Sequence, residues 1–188
     1  MITVLAGGVG AARLLRGMVR AVPACEVTAI VNTADDLVLH GLSVSPDLDT
    51  VTYTLAEAVN PDTGWGLAGE TWQAMDALER LGGPAWFRLG DRDLGTHLHR
   101  TSRLPEGAAL VEITSEIARA FGVNARLLPM TEDRVATMVT LVSGPEVGFQ
   151  DYFVGLRHEC PSPQYGSTGR TRPARHPGYW TPSPQPTP

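Results

Sequence analysis

Apolar residues recur along most of this chain in two patterns, one typical of buried strands and one typical of helices. Short, mainly apolar segments predict strands at Ile2–Ala6, 27–32 and Arg126–Pro129. Between them, apolar residues three and four positions apart predict helices, the first over 11–22. The other predicted elements are helices from an Asp49 N-cap to about residue 59 and over 70–81, 96–103 and 110–121, and strands over 85–89 and 134–141.

This alternation predicts the fold class. Strands that alternate with helices and are apolar along their whole length are typical of a parallel sheet buried by helices. We therefore predict an α/β protein with a Rossmann-like, doubly wound parallel sheet that is incomplete at its C-terminal side.

Glycines follow the first predicted strand and lead into the first predicted helix. Gly7, Gly8 and Gly10 leave the backbone amides of that helix N-terminus accessible, which is an arrangement that binds phosphate. The alternative is a tight turn that binds no ligand. Arg13 occupies the position at which a dinucleotide-binding fingerprint has glycine, so a nicotinamide site is disfavoured.

Four aspartates lie after predicted strand ends, where ligands collect in open α/β sheets. Asp35 and Asp36 follow the second strand, and Asp47 and Asp49 lie in a turn that begins with proline. Magnesium sites combine one or two carboxylates with substrate phosphates and water, so Asp35, Asp36 and Asp47 are candidate Mg²⁺ ligands. The alternative is that these residues form turns and cap helices, with Asp49 as a simple N-cap.

Arg88 lies near the end of the predicted strand over 85–89, and the polar segment Asp91-Arg92-Asp93 follows it. A guanidinium can pair with an anion or stack on a planar ligand. The alternative is a solvated ion pair that contributes less than about 1 kcal/mol. His97 and His99 are two positions apart and would face different sides of a helix, which makes them a poor metal pair.

Composition and charge exclude several classes of protein. The 188 residues carry a net charge of −5, which argues against a protein bound to nucleic acid by its overall field. All 15 basic residues are arginine, so a Walker A lysine is excluded. No apolar run approaches the roughly 20 residues of a membrane span, and the N-terminus lacks a basic leader. We expect a cytoplasmic protein without a membrane partner.

The composition changes at residue 160. Residues 160–188 include eight prolines and three arginines but no Asp, Glu, Leu, Ile, Val, Met or Phe. Such a segment buries too little apolar surface to offset its ordering entropy, so we predict a folded domain over 1–159 and a disordered tail over 160–188. The tail is either a natural proline-rich segment or, as we favour, the product of a frameshift.

The glycine and aspartate segments together resemble the 2-phospho-L-lactate transferase family of coenzyme F-420 biosynthesis, over residues 1–159. The motifs that carry the resemblance are Gly7-Gly8-Val9-Gly10, Val31-Asn32-Thr33-Ala34-Asp35-Asp36, Ser45-Pro46-Asp47-Leu48-Asp49-Thr50-Val51, Gly64-Trp65-Gly66, Glu70-Thr71-Trp72, Leu89-Gly90-Asp91-Arg92-Asp93 with Thr96-His97, Leu128-Pro129-Met130 and Phe149-Gln150-Asp151-Tyr152-Phe153.

The resemblance implies a function. Family members transfer a phospholactyl group, or a phosphoenolpyruvyl group in actinobacteria, from a diphosphoguanosine donor to the deazaflavin alcohol Fo, with Mg²⁺, and release GMP. It implies Fo binding at Asp49 and Arg88, a catalytic role for Asp49, and a family-type homodimer. Family members continue well beyond residue 159, so we expect the chain as given to be catalytically weak.

A regulator of a different class is the alternative. The related gluconeogenesis-factor family binds nucleotide sugars and shares the first glycine-rich loop. Its Asp-Asp pair is followed by glycine and serine, whereas Leu37-Val38-Leu39-His40-Gly41 follows Asp36 here, which favours the transferase.

Overall fold

A computed structural model describes residues 1–84, 86–141, 144, 146–150, 152 and 172–173. Its helices are α1 (Gly8–Ala21), α2 (Pro46–Leu55), α3 (Gln73–Arg80), α4 (Asp93–Arg103) and α5 (Leu110–Ala120). Its strands are β1 (Ile2–Ala6), β2 (Val27–Val31), β3 (Leu37–Leu39), β4 (Leu42–Val44), β5 (Arg126–Pro129), β6 (Val135–Ala136), β7 (Met138–Thr140), β8 (Glu146–Gly148) and β9 (Arg172–Pro173). Short 3-10 turns lie at Ala24–Glu26 and Leu104–Glu106.

The predicted α/β class and parallel sheet are confirmed. β1, β2 and β5 form a three-stranded parallel sheet in that order, with β2 in the centre. Because parallel neighbours end at the same edge, the segments that follow the three strands meet there. These are the glycine loop, the segment that begins at Asn32, and Met130.

The core lies on one face of this sheet. Val27, Ala29 and Val31 of β2 are fully buried, and α1, α2 and α5 supply side chains to the same apolar cluster. On the opposite face, Leu5 is in register with Ile30, which is in register with Leu128. Leu5 is 81% exposed, so this face is open over part of its width.

Several predicted elements differ from the structure. α2 begins at Pro46, so Asp49 lies inside its first turn, and the predicted Asp49 N-cap is wrong because Ser45 occupies that position. None of the residues 86–89 is in a strand. The predicted strand over 134–141 is divided between β6 and β7, which belong to different ladders.

The β3–β4 hairpin was missed by pattern analysis. Its strands have three residues each, too few to show an alternation of apolar and polar positions. The turn at His40 and Gly41 has positive φ at both positions (53° and 78°), where Asn-Gly is the common signal.

Two other ladders lie near the C-terminal end of the described chain. β7 pairs with β8, and β6 pairs antiparallel with β9. Apart from the backbone of β9, the segment 160–188 lies outside the described residues, so its predicted disorder and its origin stay predictions.

Candidate functional site

A cavity of about 1290 Å³ opens at the carboxyl ends of the parallel strands. The glycine loop, aspartates of three segments and several aromatic rings line it. Its lining includes Gly7, Gly8, Asp35, Asp47, Asp49, Trp65, Trp72, Trp86, Arg88, Asp93 and His97. The structure thus brings all but two of the predicted site residues to one cavity, the exceptions being Gly10 and Asp36.

The glycine loop meets the carboxylates directly. Gly7 is the N-cap of α1, where no side chain accepts a hydrogen bond and the first turn has no acidic residue. A methyl group on Gly7 would lie 3.3 Å from Oδ2 of Asp47 and 3.4 Å from Cβ of Asn32. Gly8 has φ of +66°, a conformation that favours glycine. The first-turn amides therefore face the cavity with no side-chain acceptor among the described residues, as an anion site requires.

Asp35 and Asp47 converge on one amide group. Nδ2 of Asn32 donates to Oδ2 of Asp47 (2.9 Å) and to Oδ2 of Asp35 (3.3 Å). Burial, and then the negative charge of Asp47, raise the pKa of Asp35 above its usual range. Asn32 and Thr137, the hydrogen-bond partners described for these two carboxylates, are neutral. The hydrogen-bond partners described for the pair thus include no cationic side chain.

Asp36 has different surroundings. Its Oδ2 accepts a hydrogen bond from the hydroxyl of Ser45 (2.7 Å), and its buried Oδ1 has no partner among the described residues. Burial raises the pKa of Asp36 to about 7, although Ser45 and the charge of Arg100 act in the opposite direction. Asp36 thus engages Ser45, not the amide that joins Asp35 and Asp47.

Asp49 forms a buried ion pair with Arg100 of α4. The guanidinium contacts both carboxylate oxygens, Oδ1 through NH2 and Oδ2 through NH1 at 3.2 Å. The two residues are only 5% and 2% exposed. Burial alone would lower the pKa of Arg100, but the charges of Asp49 and Asp36 outweigh burial and raise it.

His97 continues this network on the next turn of α4. Its Nδ1 lies 3.4 Å from NH1 of Arg100, and its Nε2 lies 3.3 Å from Oδ2 of Asp93. The hydroxyl of Tyr53 donates to Oδ1 of Asp93 (2.5 Å) and lies 2.8 Å from Oγ1 of Thr96. Burial would raise the pKa of Asp93, but its contacts with His97 and Tyr53 outweigh burial and lower it.

Arg88 belongs to the aromatic side of the cavity. Its guanidinium carbon lies 5.5 Å from the centre of the Trp72 ring, a cation–π distance. It pairs with Asp76 and approaches Glu79 to 4.0 Å, while its side chain stays 41% exposed. Trp65, Trp72 and Trp86, named here the tryptophan wall, are 47%, 36% and 36% exposed.

Sequence reasoning gave no role to Asp93, His97 and Arg100. They lie four and three positions apart, so they share one face of α4, and that spacing was the available signal. The prediction that His97 and His99 face different sides agrees with the structure, because His99 pairs with Glu116 on the exterior. Asn32 was part of a quoted motif, but its bridging role depends on Asp47, which lies in another element.

These features define an α/β protein with a ligand cavity at the carboxyl edge of a parallel sheet. The family model for 2-phospho-L-lactate transferase CofD matches residues 2–176. The chain therefore belongs to the CofD family of 2-phospho-L-lactate transferases. The match continues past residue 159 into the segment that we predict to be a separate tail.

Two relatives that this chain resembles are named as transferases. A phosphoenolpyruvate transferase of Streptomyces griseus subsp. griseus is 48% identical over 160 residues, covering 83% of this chain and 50% of its own length. A 2-phospho-L-lactate transferase of Methanocorpusculum labreanum is 41% identical over 157 residues, covering 84% of this chain and 52% of its own. The chain thus spans about half the length of these relatives.

Similarity to solved structures is weaker. A member of the upf0052 family from Bacillus halodurans is 23% identical, with a TM-score of 0.47, covering 78% of this chain and 44% of its own. None of the helices in the part of the chain that the structure describes has the length and apolar character needed to cross a membrane.

Proposed function

We propose that this chain forms the acceptor and diphosphate sites of a transferase that moves a phospholactyl or phosphoenolpyruvyl group from a diphosphoguanosine donor to Fo. One observation carries the proposal. The same cavity combines the first turn of α1, the Asp35–Asp47 pair, Asp49 with its partner Arg100 behind it, and the tryptophan wall.

The donor diphosphate would bind at the glycine loop. The first turn of α1 lies at the end of the helix where the helix dipole favours negative charge. Asp35 and Asp47 lie beside this loop, and their negative charge would repel a diphosphate in the absence of a cation.

Magnesium fits this arrangement through Asp35 and Asp47. Within the described ranges, no group of three or more His, Cys, Asp or Glu side chains is arranged to hold a metal. Mg²⁺ commonly uses one or two carboxylates with substrate phosphates and water, so the pair suffices for a site completed by the donor. The ion would neutralise charge on the phosphates. In this proposal Asp36, directed to Ser45, supports the loop and is not a ligand.

The acceptor ring would bind at the tryptophan wall of the same cavity. Large aromatic side chains that stay about 40% exposed in one cavity are suited to stacking on a planar heterocycle. Arg88 already covers one ring of this wall and has donors for a polar edge of the ligand. Asp49 lines the same cavity and would accept a hydrogen bond from the terminal ribityl hydroxyl.

The reaction is then a direct displacement at phosphorus. The ribityl oxygen forms a bond to the phosphorus that carries the lactyl or enolpyruvyl group, while the bond from that phosphorus to the GMP oxygen breaks. The hydroxyl proton leaves through Asp49 to water. Positioning and charge neutralisation supply most of the catalysis in such transfers, and no covalent enzyme intermediate is required.

A ligand screen tests the proposal and its alternatives. Isothermal titration of the purified chain with Fo, a UDP-sugar and NAD should give saturable binding for Fo alone. Saturable binding of the UDP-sugar without Fo binding would favour the nucleotide-sugar regulator. NAD binding without Fo binding would favour a nicotinamide module.

A further inference from the structure

The Asp49–Arg100 pair has a feature that a simple structural tie does not need. Arg100 contacts both oxygens of Asp49, and this fixes the plane of the carboxylate as well as its position. A bidentate pair leaves each carboxylate oxygen with a further lone pair for another donor. Asp49 lines the cavity, so a ligand can use those lone pairs.

Arg100 is itself held on several sides. Its NH1 also donates to the backbone oxygen of Ser43 (3.3 Å) and approaches Nδ1 of His97 (3.4 Å). His97 is 1% exposed and lies against Asp93, which accepts a hydrogen bond from the hydroxyl of Tyr53. Residues of α2, β4 and α4 thus contact the two terminal nitrogens of the guanidinium, while its buried Nε has no partner among the described residues.

We propose that Arg100 is a positioning residue for Asp49, fixing the direction in which Asp49 accepts a hydrogen bond from the acceptor's terminal hydroxyl. This inference rests on the proposed function, because it takes Fo as the ligand. Asp49 then acts as an oriented acceptor. The Tyr53–Asp93–His97 chain supports the pair, because Nδ1 of His97 lies 3.4 Å from NH1 of Arg100 and 3.7 Å from Oδ2 of Asp49.

The test compares Fo with an analogue that lacks the terminal ribityl hydroxyl. A hydrogen bond to a charged acceptor contributes about 1.5–3 kcal/mol, so the wild-type chain should bind Fo about 10- to 100-fold more tightly than the analogue. Isothermal titration gives both dissociation constants. We call the dissociation constant of the analogue divided by that of Fo the hydroxyl preference.

Arg100→Lys keeps the charge but cannot make the bidentate contact. The expected result is an unchanged affinity for the analogue and a hydroxyl preference reduced to less than about threefold. Arg103→Lys is the matched control, since Arg103 lies one residue beyond on α4 and pairs with Glu106 and Glu116 at the surface. It should keep the wild-type preference.

A second set of variants separates folding from positioning. Arg100→Met leaves the Asp49 carboxylate buried without its partner, which should lower the melting temperature strongly. Adding Asp49→Asn removes that charge and should restore much of the melting temperature. These melting temperatures measure the structural contribution of the pair, whereas the hydroxyl preference of a folded Arg100→Lys variant, which keeps Asp49, measures positioning.

The outcomes distinguish the two proposals. A folded Arg100→Lys variant with the full wild-type preference would overturn the positioning role. Wild-type chain that binds Fo and the analogue equally would also overturn it, while leaving Fo binding in place. A wild-type chain that binds neither ligand would overturn the proposed function and this inference with it.

Discussion

At the scale of single residues, the cavity divides its aspartates by the groups they contact. Asp35 and Asp47 share the amide of Asn32, Asp36 contacts Ser45, and Asp49 contacts Arg100. The contacts span 3 to 51 positions of the chain, and they give the four carboxylates three different surroundings. The division supports a metal role for two of the four aspartates and an acceptor role for one.

The first prediction concerns the cation. Asp47→Asn should weaken Mg²⁺-dependent binding of GDP by about tenfold or more, because it removes half of the carboxylate pair. Asp36→Asn is the matched control and should change this affinity by less than about threefold. Titration of GDP with and without Mg²⁺ measures both. Equal losses in the two variants would contradict the assignment of Asp36 to a supporting role.

The second prediction concerns the tryptophan wall. Trp65→Ala should weaken Fo binding by about tenfold, since an aromatic stacking partner contributes about 0.5–1.5 kcal/mol beyond the area it covers. Leu98→Ala, at a 57% exposed position of α4, is the control and should leave affinity unchanged. Isothermal titration is the measurement, because Trp65 would itself contribute to a fluorescence signal. An unchanged affinity in Trp65→Ala would remove Trp65 from the acceptor site.

The sequence was enough to predict where the four aspartates lie, but not which groups their carboxylates contact. Position after a strand end predicted that the four aspartates lie near one sheet edge, and three of them line the cavity. What each carboxylate contacts depends on Asn32, Ser45 and Arg100, at separations that no local pattern records. The ion pair of Asp49 with Arg100 spans 51 positions.

At the scale of elements, α3 and α4 cap each other. Glu70, just before α3, accepts hydrogen bonds from the backbone amides of Arg92 and Asp93 at the start of α4, both 2.8 Å. Asp91, just before α4, accepts from the amides of Gln73 and Ala74 at the start of α3, both 3.0 Å. The segment before α3 and the segment before α4 thus cap each other's helix, and we call this reciprocal capping arrangement the joint. It helps to place Arg88 and Asp93 at the cavity.

This joint explains why part of the element prediction was wrong. Apolar spacing predicted a helix over 70–81, and the apolar residues do lie on α3, but the helix begins at Gln73 because Glu70 caps a different helix. Long periodic segments were predicted well, and α5 and β5 differ little from expectation. Ends of elements depend on tertiary partners, which periodicity does not contain.

The third prediction tests the cap on α4. Glu70→Ala should lower the free energy of unfolding by about 0.5–2 kcal/mol, the usual range for the loss of a helix cap. Asp62→Ala, in the turn at residues 61–63, is the control and should change it by less than about 0.5 kcal/mol. Urea unfolding monitored by circular dichroism measures both. Similar values for the two variants would show that the joint does not contribute to stability.

The fourth prediction concerns pH. The hydroxyl of Thr71, followed by the amides of Ala74 and Gln73, lowers the pKa of Asp91 below its ordinary value of 3.8. A carboxyl with a lowered folded-state pKa stabilises the fold above its ordinary pKa, and this stabilisation is lost as pH falls through the lowered value. The stability difference between wild type and Asp91→Asn should therefore be present at pH 7 and shrink towards pH 3 in urea unfolding. A difference of the same size at both pH values would contradict this.

At the scale of the whole molecule, one sheet edge organises the site and one sheet face is open. The glycine loop, Asn32 and Met130 follow β1, β2 and β5 at the same edge, so the parallel order alone brings the cavity together. The face that carries Leu5, Ile30 and Leu128 is not covered by α1, α2 or α5, the helices that supply the core cluster. The chain also spans about half the length of its relatives. Transfer activity, the homodimer and a cytoplasmic location stay predictions.

The most direct test of the account is a crystal structure of this chain with Fo, GDP and Mg²⁺. The deazaflavin ring should lie against the tryptophan wall, with the terminal ribityl hydroxyl donating to Asp49. The diphosphate should lie at Gly7 and Gly8, with the metal between the phosphates and the Asp35–Asp47 pair. Fo bound outside this cavity, or a ribityl chain directed away from Asp49 while the diphosphate occupies the glycine loop, would contradict it.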